Sequence, residues 1–215
     1  MRAALLSIKY MEPLTEHFDV RGWEVVRTTP ERSLYMFLNK YVDLAVVSSV
    51  AAASLSLEPC FKCPAIYGSG PIENVKLKFL RRGNKVKLWV TPQSYTGRAL
   101  AVWFLTNRGM DFAFVEDPKN ADALVLIGDE ARELGGDVVD LGEAWEEAFG
   151  RPLVYAVTVS HVPFQLEVRY SWRNIRLAPL EEVLDAYLHT VSTLKNYWIR
   201  PAVPPKGLLG LLRSL

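Results

Sequence analysis

An α/β protein with a mainly parallel sheet is predicted by three observations on this sequence of 215 residues. Short apolar runs rich in β-branched residues alternate with amphipathic stretches along most of the chain. Half of the residues are hydrophobic and 23% are charged, which supplies a sizeable core and lies far from the composition of a disordered chain. The polar stretch Arg81-Arg82-Gly83-Asn84-Lys85 separates two strand-like runs and predicts a crossing from a first lobe to a second. At roughly 150 residues per domain the length leaves one large domain or two small lobes both open.

The elements follow in order. Ala3 to Ile8 and Trp23 to Thr28 are the first strand-like runs. Thr29-Pro30-Glu31-Arg32 then sets a cap, a proline at the first helical position and an acid in the first turn, before Leu34, Phe37 and Leu38 mark one face. Asp43 to Val47 reads as a strand, and Ser48 and Ser49 cap a helix through Ala51-Ala52-Ala53. Cys63 to Tyr67, Val75 to Leu80 and Val86 to Val90 are further strands. Ser94-Tyr95-Thr96-Gly97 opens a helix that carries Leu100, Val102, Trp103, Phe104 and Leu105 and stops near Asn107-Arg108-Gly109. Asp111 to Val115, Ala123 to Ile127, Val138 to Leu141 and Leu153 to Val159 complete the strands, while Leu141, Trp145 and Phe149 lie at helical spacing, which favours packing. Ser160-His161-Val162-Pro163 breaks the last strand, and the longest amphipathic stripe runs from Leu180 to Trp198 before Pro201, Pro204 and Pro205. That stripe is read first as core of lobe one and second as a homodimer face. The lobes are expected over 1–83 with 156–215, and over 84–155, with a ligand cleft between them where strand ends and helix N-termini converge.

Composition narrows the partners. Lys plus Arg total 25 against 24 Asp plus Glu, a net charge of +1, so nucleic acid and acidic membranes have no electrostatic footprint, and a bound anion must be held locally. The apolar stretch at the N-terminus is too short for a signal peptide, and the uncharged run from Leu44 to Leu57 falls short of the roughly 18 residues of a membrane span. A cytoplasmic protein is expected. Cys60 and Cys63 lead into a strand and not a helix, so buried or disulfide-linked thiols are favoured over a redox site; His17, His161 and His189 are scattered, and no metal or cofactor is expected. No G-x-S-x-G, H-E-x-x-H or Walker sequence occurs, which removes the commonest hydrolase and nucleotide readings.

Several segments together carry a family resemblance. Val42 to Val50, Gly70-Pro71-Ile72-Glu73-Asn74-Val75, Ala123 to Ala131, and Asp140 to Trp145 running into Gly150 to Ala156 resemble, in order and spacing, the chorismate dehydratase family of the futalosine route to menaquinone. Ile8-Lys9-Tyr10-Met11-Glu12-Pro13-Leu14 is similar to a contracted form of that family's first-strand motif, which reads roughly I-P-Y-L-N-x-x-P-L. The resemblance implies a two-lobed type II periplasmic-binding-protein fold used as an enzyme. The reaction it implies is loss of water from chorismate to give 3-[(1-carboxyvinyl)oxy]benzoate, with a small-molecule carboxylate as partner. Two alternatives stay open: a binding protein of the same fold that leaves a small carboxylate unchanged, and the naphthoate synthase step of the same route.

Candidate site residues combine both readings. Ser48 and Ser49 sit where a strand gives way to a helix, a natural carboxylate site, although a plain cap explains them as well. Ser69 and Gly70 lie in a turn whose amides can approach a ligand. Asn74 stands where the family usually has serine before the valine, and its amide can donate to a carboxylate or to an enol ether oxygen. Ser94 and Thr96 match the family's S-R-T-S-like stretch, in which Tyr95 here replaces arginine and Gly97 replaces serine. Tyr10 matches the tyrosine of the first motif, whose active-site asparagine has no counterpart here. Glu12 is the carboxylate that could act there as a base, against the reading that it faces solvent in a loop. Asp129 ends a strand, either aimed at the cleft or capping the next helix.

Overall fold

The computed structural model describes residues 1–92, 94–132 and 135–197, with the side chain of Asp129 outside the described ones. In chain order the elements are β1 (Arg2–Leu6), α1 (Glu12–Val20), β2 (Glu24–Thr28), α2 (Pro30–Leu38), β3 (Leu44–Ser48), α3 (Ser49–Ser54), β4 (Pro64–Gly68) and β5 (Val75–Phe79). They continue with β6 (Lys85–Val90), α4 (Tyr95–Asn107), β7 (Asp111–Phe114), β8 (Ala123–Ile127), α5 (Asp129–Arg132), β9 (Val138–Asp140) and α6 (Leu141–Phe149). β10 (Leu153–Ser160), β11 (Tyr170–Trp172), β12 (Ile175–Pro179) and α7 (Leu184–Leu194) complete the chain. Among the described residues no helix is long and apolar enough to cross a membrane.

Two sheets share one plan. The first has the order β11-β12-β4-β10-β3-β1-β2 and the second β7-β6-β8-β5-β9. In each, three strands run parallel, β2-β1-β3 in one and β7-β6-β8 in the other. One strand arriving from the other lobe, β10 or β5, then inserts antiparallel and pairs on its far side with β4 or β9. This repeated order is the two-lobed type II binding-protein plan. The sheets are therefore mixed and not mainly parallel, because a chain that crosses between lobes enters each sheet in the opposite sense.

The crossings fall at 69–74 and 150–152, on either side of the second sheet. The first lies earlier than the predicted turn at Arg81 to Lys85, which instead links two strands of the second sheet. A polar turn marks a change of direction and carries no information on which sheet its flanking strands join. Register decides that: Val75↔Ile127 through Phe79↔Ala123 bind β5 to β8. Residues 75–83 thus belong with the second lobe, and Leu153 to Tyr155 with the first.

Local chemistry explains the elements that position the cleft. Thr29 accepts from the Arg32 amide at 3.3 Å and starts α2, whose Ser33 hydroxyl donates to the Val46 carbonyl at 2.7 Å and ties the helix to β3. Asp140 caps α6 through the Gly142 and Glu143 amides at 2.9 and 3.1 Å, and Gly150, at φ 60°, ends it. Three elements were not expected. α1 starts at Glu12, where the contracted motif reads as a loop; Leu14 and Phe18, four residues apart, bury one face. The β11–β12 hairpin turns at Arg173 with φ 53°, without the glycine that marks such turns. The C-terminal stripe is helical only from Leu184, after a short tight turn over Leu180–Val183. Its face buries Leu180, Ala186 and Tyr187 against the first sheet, and Leu194 is buried in the other core cluster; Trp198 and the prolines lie outside the described residues. Cys60 and Cys63 are joined in a disulfide.

Candidate functional site

A cleft of about 280 Å³ opens between the two sheets. Strand ends and the start of α4 line it: Leu6, Ile8 and Tyr10 behind β1, Ser48 at the end of β3, Asn74 and Val75 at the start of β5, and Ser94 and Thr96 at α4. Thr28 and Thr91, Gly128 and Glu130 after β8, and Tyr155 of β10 add to the polar lining, with Ser7, Thr29 and Tyr95. The walls between are aliphatic, with Ile66, Ile72, Ile127 and Ile175.

Hydroxyl hydrogens decide which of these groups can serve a ligand, since each hydroxyl has only one to donate. Thr96 gives its own to the Tyr155 carbonyl at 2.9 Å. In the 2.8 Å contact between Ser48 and Thr96 the donor is therefore Ser48, whose oxygen also accepts from the Ala51 amide at 3.2 Å. Both hydrogens are used, and the pair staples the first lobe to α4 across the back of the cleft. Ser94 differs. Its oxygen accepts from the Gly97 amide at 3.0 Å, and its hydrogen has no partner among the described residues. Gly97 makes this cap possible, because a Cβ there would lie 2.5 Å from the Ser94 Oγ.

Asn74 is 4% exposed and held at three points. Its carbonyl oxygen Oδ1 accepts from Nε and Nη2 of Arg132 at 2.9 and 2.8 Å, and its backbone carbonyl accepts from the Gly128 amide at 2.9 Å. With Oδ1 so engaged, Nδ2 is left buried and without a partner among the described residues. A buried amide donor without an acceptor costs on the order of 1–3 kcal/mol, which a ligand oxygen would recover. Arg132 in turn lies over the Trp172 ring at 4.3 Å, and Tyr10 packs on the same ring at 6.0 Å. Burial pushes the Tyr10 phenol well above its ordinary value, with Arg132 acting weakly the other way. Tyr155 is raised by burial and further by Asp140, Tyr10 and Glu146. Both phenols stay protonated at neutral pH and can act only as donors or as weak acceptors.

The structure thus brings Tyr10, Ser48, Asn74, Ser94 and Thr96 together. It does not place Ser49, Ser69, Gly70, Gly97 or Glu12 among the cleft lining. Ser49 donates to the Val154 carbonyl at 2.6 Å inside the first lobe. Ser69 is exposed at the crossing; Gly70, at φ 73°, abuts Glu146 there, and Gly97 packs under Ser94. Glu12 is exposed in the first turn of α1 and lines no part of the cleft, since the helix begins where the contracted motif suggested a loop. Asp129 opens α5, and its side chain is outside the described ones. Arg132, Trp172, Glu130 and Tyr155 were missed. Arg132 and Glu130 had a signal, a charged pair just past the strand-ending glycine Gly128; Trp172 had none, because its hairpin was not predicted. Among the described residues no group of three or more metal-ligating side chains gathers.

Comparisons with known proteins agree with this architecture. A family model described as menaquinone biosynthesis matches residues 4–178. No curated protein matches the chain. Among solved structures, protein AF1704 from Archaeoglobus fulgidus is similar at 16% identity and a TM-score of 0.54, covering 88% of this chain and 73% of that one. A protein from Bordetella bronchiseptica RB50 follows at 16% identity and a TM-score of 0.50, covering 93% and 69%. The periplasmic aliphatic sulphonate binding protein SsuA from Escherichia coli is similar at 12% identity and a TM-score of 0.49, covering 100% and 75%.

Proposed function

The chain belongs to the menaquinone biosynthesis family, and from that premise we propose that it is a dehydratase-like lyase that eliminates water from chorismate to give 3-[(1-carboxyvinyl)oxy]benzoate. The observation that carries the reading is Asn74, which lines the interlobe cleft and whose buried Nδ2 has no acceptor among the described residues. Arg132 determines which end of the amide is offered, because it occupies the carbonyl side. One substrate carboxylate sits against Nδ2. The other sits at the N-terminus of α4, where Ser94 offers its hydroxyl hydrogen and the helix its positive end. The aliphatic walls exclude water from the ring, and aromatisation of the product supplies much of the driving force.

A second reading has its own support. The family's first motif supplies an active-site asparagine that is missing here, and Glu12 lies outside the cleft. A protein that binds a small carboxylate without changing it fits that loss. Incubating the purified protein with chorismate and following the aromatic product by absorbance separates the two. Steady product formation supports the lyase; chorismate that raises the melting temperature but stays intact at high protein concentration supports the binder.

A further inference from the structure

An asparagine amide serves a carboxylate only through its NH2 end, so what fixes the amide of Asn74 decides what the site can bind. Guanidinium N–H groups only donate. With Arg132 Nε and Nη2 at 2.9 and 2.8 Å, Oδ1 is the one end of the amide that can lie against them, and Nδ2 is left as the free donor. The orientation of the amide therefore follows the position of the guanidinium. Arg132 ends α5 of the second lobe, and its guanidinium carbon lies 4.3 Å from the ring centroid of Trp172, which belongs to the first. Neither residue lines the cleft. Trp172 is placed from its own side. Tyr10 packs on its ring at 6.0 Å, and the β11–β12 hairpin that carries it is tied to the crossing between lobes: Asn174 Nδ2 donates to the Pro71 carbonyl at 2.7 Å, and Arg173 pairs with Glu73. The Glu73 amide in turn donates to Asp140 of β9 at 2.7 Å, which anchors the crossing to the second lobe.

We propose that Trp172 is a positioning residue for the ligand site: its ring holds the Arg132 guanidinium on Asn74 Oδ1 and thereby keeps Nδ2 available to a ligand carboxylate. The proposal rests on the reading above that Asn74 takes such a carboxylate, which the lyase and the binder share. A flat cation lying on a ring face keeps its fork of donors aimed in one direction, and a cation–π contact of this kind carries about a threefold to thirtyfold preference for the held pose. The ring comes from one lobe and the guanidinium from the other, so the donor is set only while the lobes stand together. Affinity for a carboxylate is in this way coupled to the interlobe joint through residues that do not touch the ligand.

Trp172→Leu and Trp172→Phe test the proposal, since leucine keeps apolar bulk without a ring face and phenylalanine keeps a face. Calorimetry with chorismate should show binding weakened about threefold or more in Trp172→Leu and less in Trp172→Phe. Trp172→Leu should add nothing to the loss in Asn74→Ala, because both act through one donor. In the protein without ligand, NMR should show the Asn74 Nδ2 hydrogens exchanging faster with water in Trp172→Leu and returning towards the wild-type rate in Trp172→Phe. A Trp172→Leu protein that binds chorismate as the wild type does, or whose loss adds in full to that of Asn74→Ala, overturns the role of Trp172 and leaves the carboxylate reading standing. A wild type that does not bind chorismate removes that reading instead. The exchange rates then decide whether Trp172 sets the amide: faster exchange in Trp172→Leu supports it, and unchanged rates overturn it.

Discussion

The two sheets repeat one strand order and are built from differently written strands. β3, Leu44-Ala45-Val46-Val47-Ser48, is buried at every position, whereas β5, Val75-Lys76-Leu77-Lys78-Phe79, buries only alternate residues. The first sheet is a middle layer. Ala4, Ala45, Val47 and Val157 face the side packed by α2, α3 and α7, while Leu5, Leu44 and Val46 join Leu14 and Phe18 of α1 on the other. The second sheet turns Val75, Leu77, Phe79, Val86, Leu88 and Val125 towards α4 and α6, and its opposite face carries Lys76, Lys78 and Lys87. Topology alone thus does not set how much apolar surface a lobe hides. Strand composition does, and the first lobe hides apolar surface on both faces of its sheet where the second hides it on one.

The largest test of that contrast is a pair of truncations. Leu5→Ala, at a fully buried position of the first sheet, should cost about 2–5 kcal/mol, while Leu124→Ala, half-buried on the lysine-bearing face of the second, should cost about 1 kcal/mol. Urea denaturation measures both, and equal costs would break the comparison. At the joint between lobes, Asn74→Ala removes a donor to a charged ligand, worth about 1.5–3 kcal/mol, and should weaken chorismate binding roughly tenfold to a hundredfold by calorimetry. Ser48→Ala should do the reverse. It loses the interlobe staple, costing about 1 kcal/mol of stability, and leaves binding within about twofold, because its hydrogen already belongs to Thr96. Ligand loss in Ser48→Ala would mean that the staple opens for the substrate.

The smallest expected effect is alkaline. Tyr10 and Tyr155 are raised in the folded chain, so their contribution is complete below the ordinary phenol value of 10.0. It is lost as the pH climbs through 10.0 towards the higher folded values, because the unfolded chain releases these protons first. Tyr155→Phe should flatten part of the stability loss above that pH in thermal melts; an unchanged alkaline slope would contradict burial as the cause.

Alternation, caps and β-branched runs made most strands and the starts of α2 and α4 legible, since these signals are local. What decides between lobes is not. The placement of β5 follows from register with β8 and β9, and the β11–β12 hairpin turns on Arg173 and Asn174 without the glycine that marks such turns. For the site, Asn74, Ser94 and Tyr10 could be named because strand ends and helix starts can be found along a chain. The commitment of Ser48 and Thr96 to each other could not, because they lie 48 residues apart and only the folded joint brings them to 2.8 Å. The near-neutral charge also concealed a local cation, since Arg132 reaches Asn74 only once α5 is set against the start of β5.

The interlobe cleft as the seat of chorismate is tested most directly by a crystal structure of the protein soaked with chorismate. The account predicts density for the ring between Ile72 and Ile127, with one carboxylate on Asn74 Nδ2 and the other at Ser94 and the start of α4. Well-ordered ligand elsewhere, or a cleft that stays empty at saturating chorismate, would contradict it.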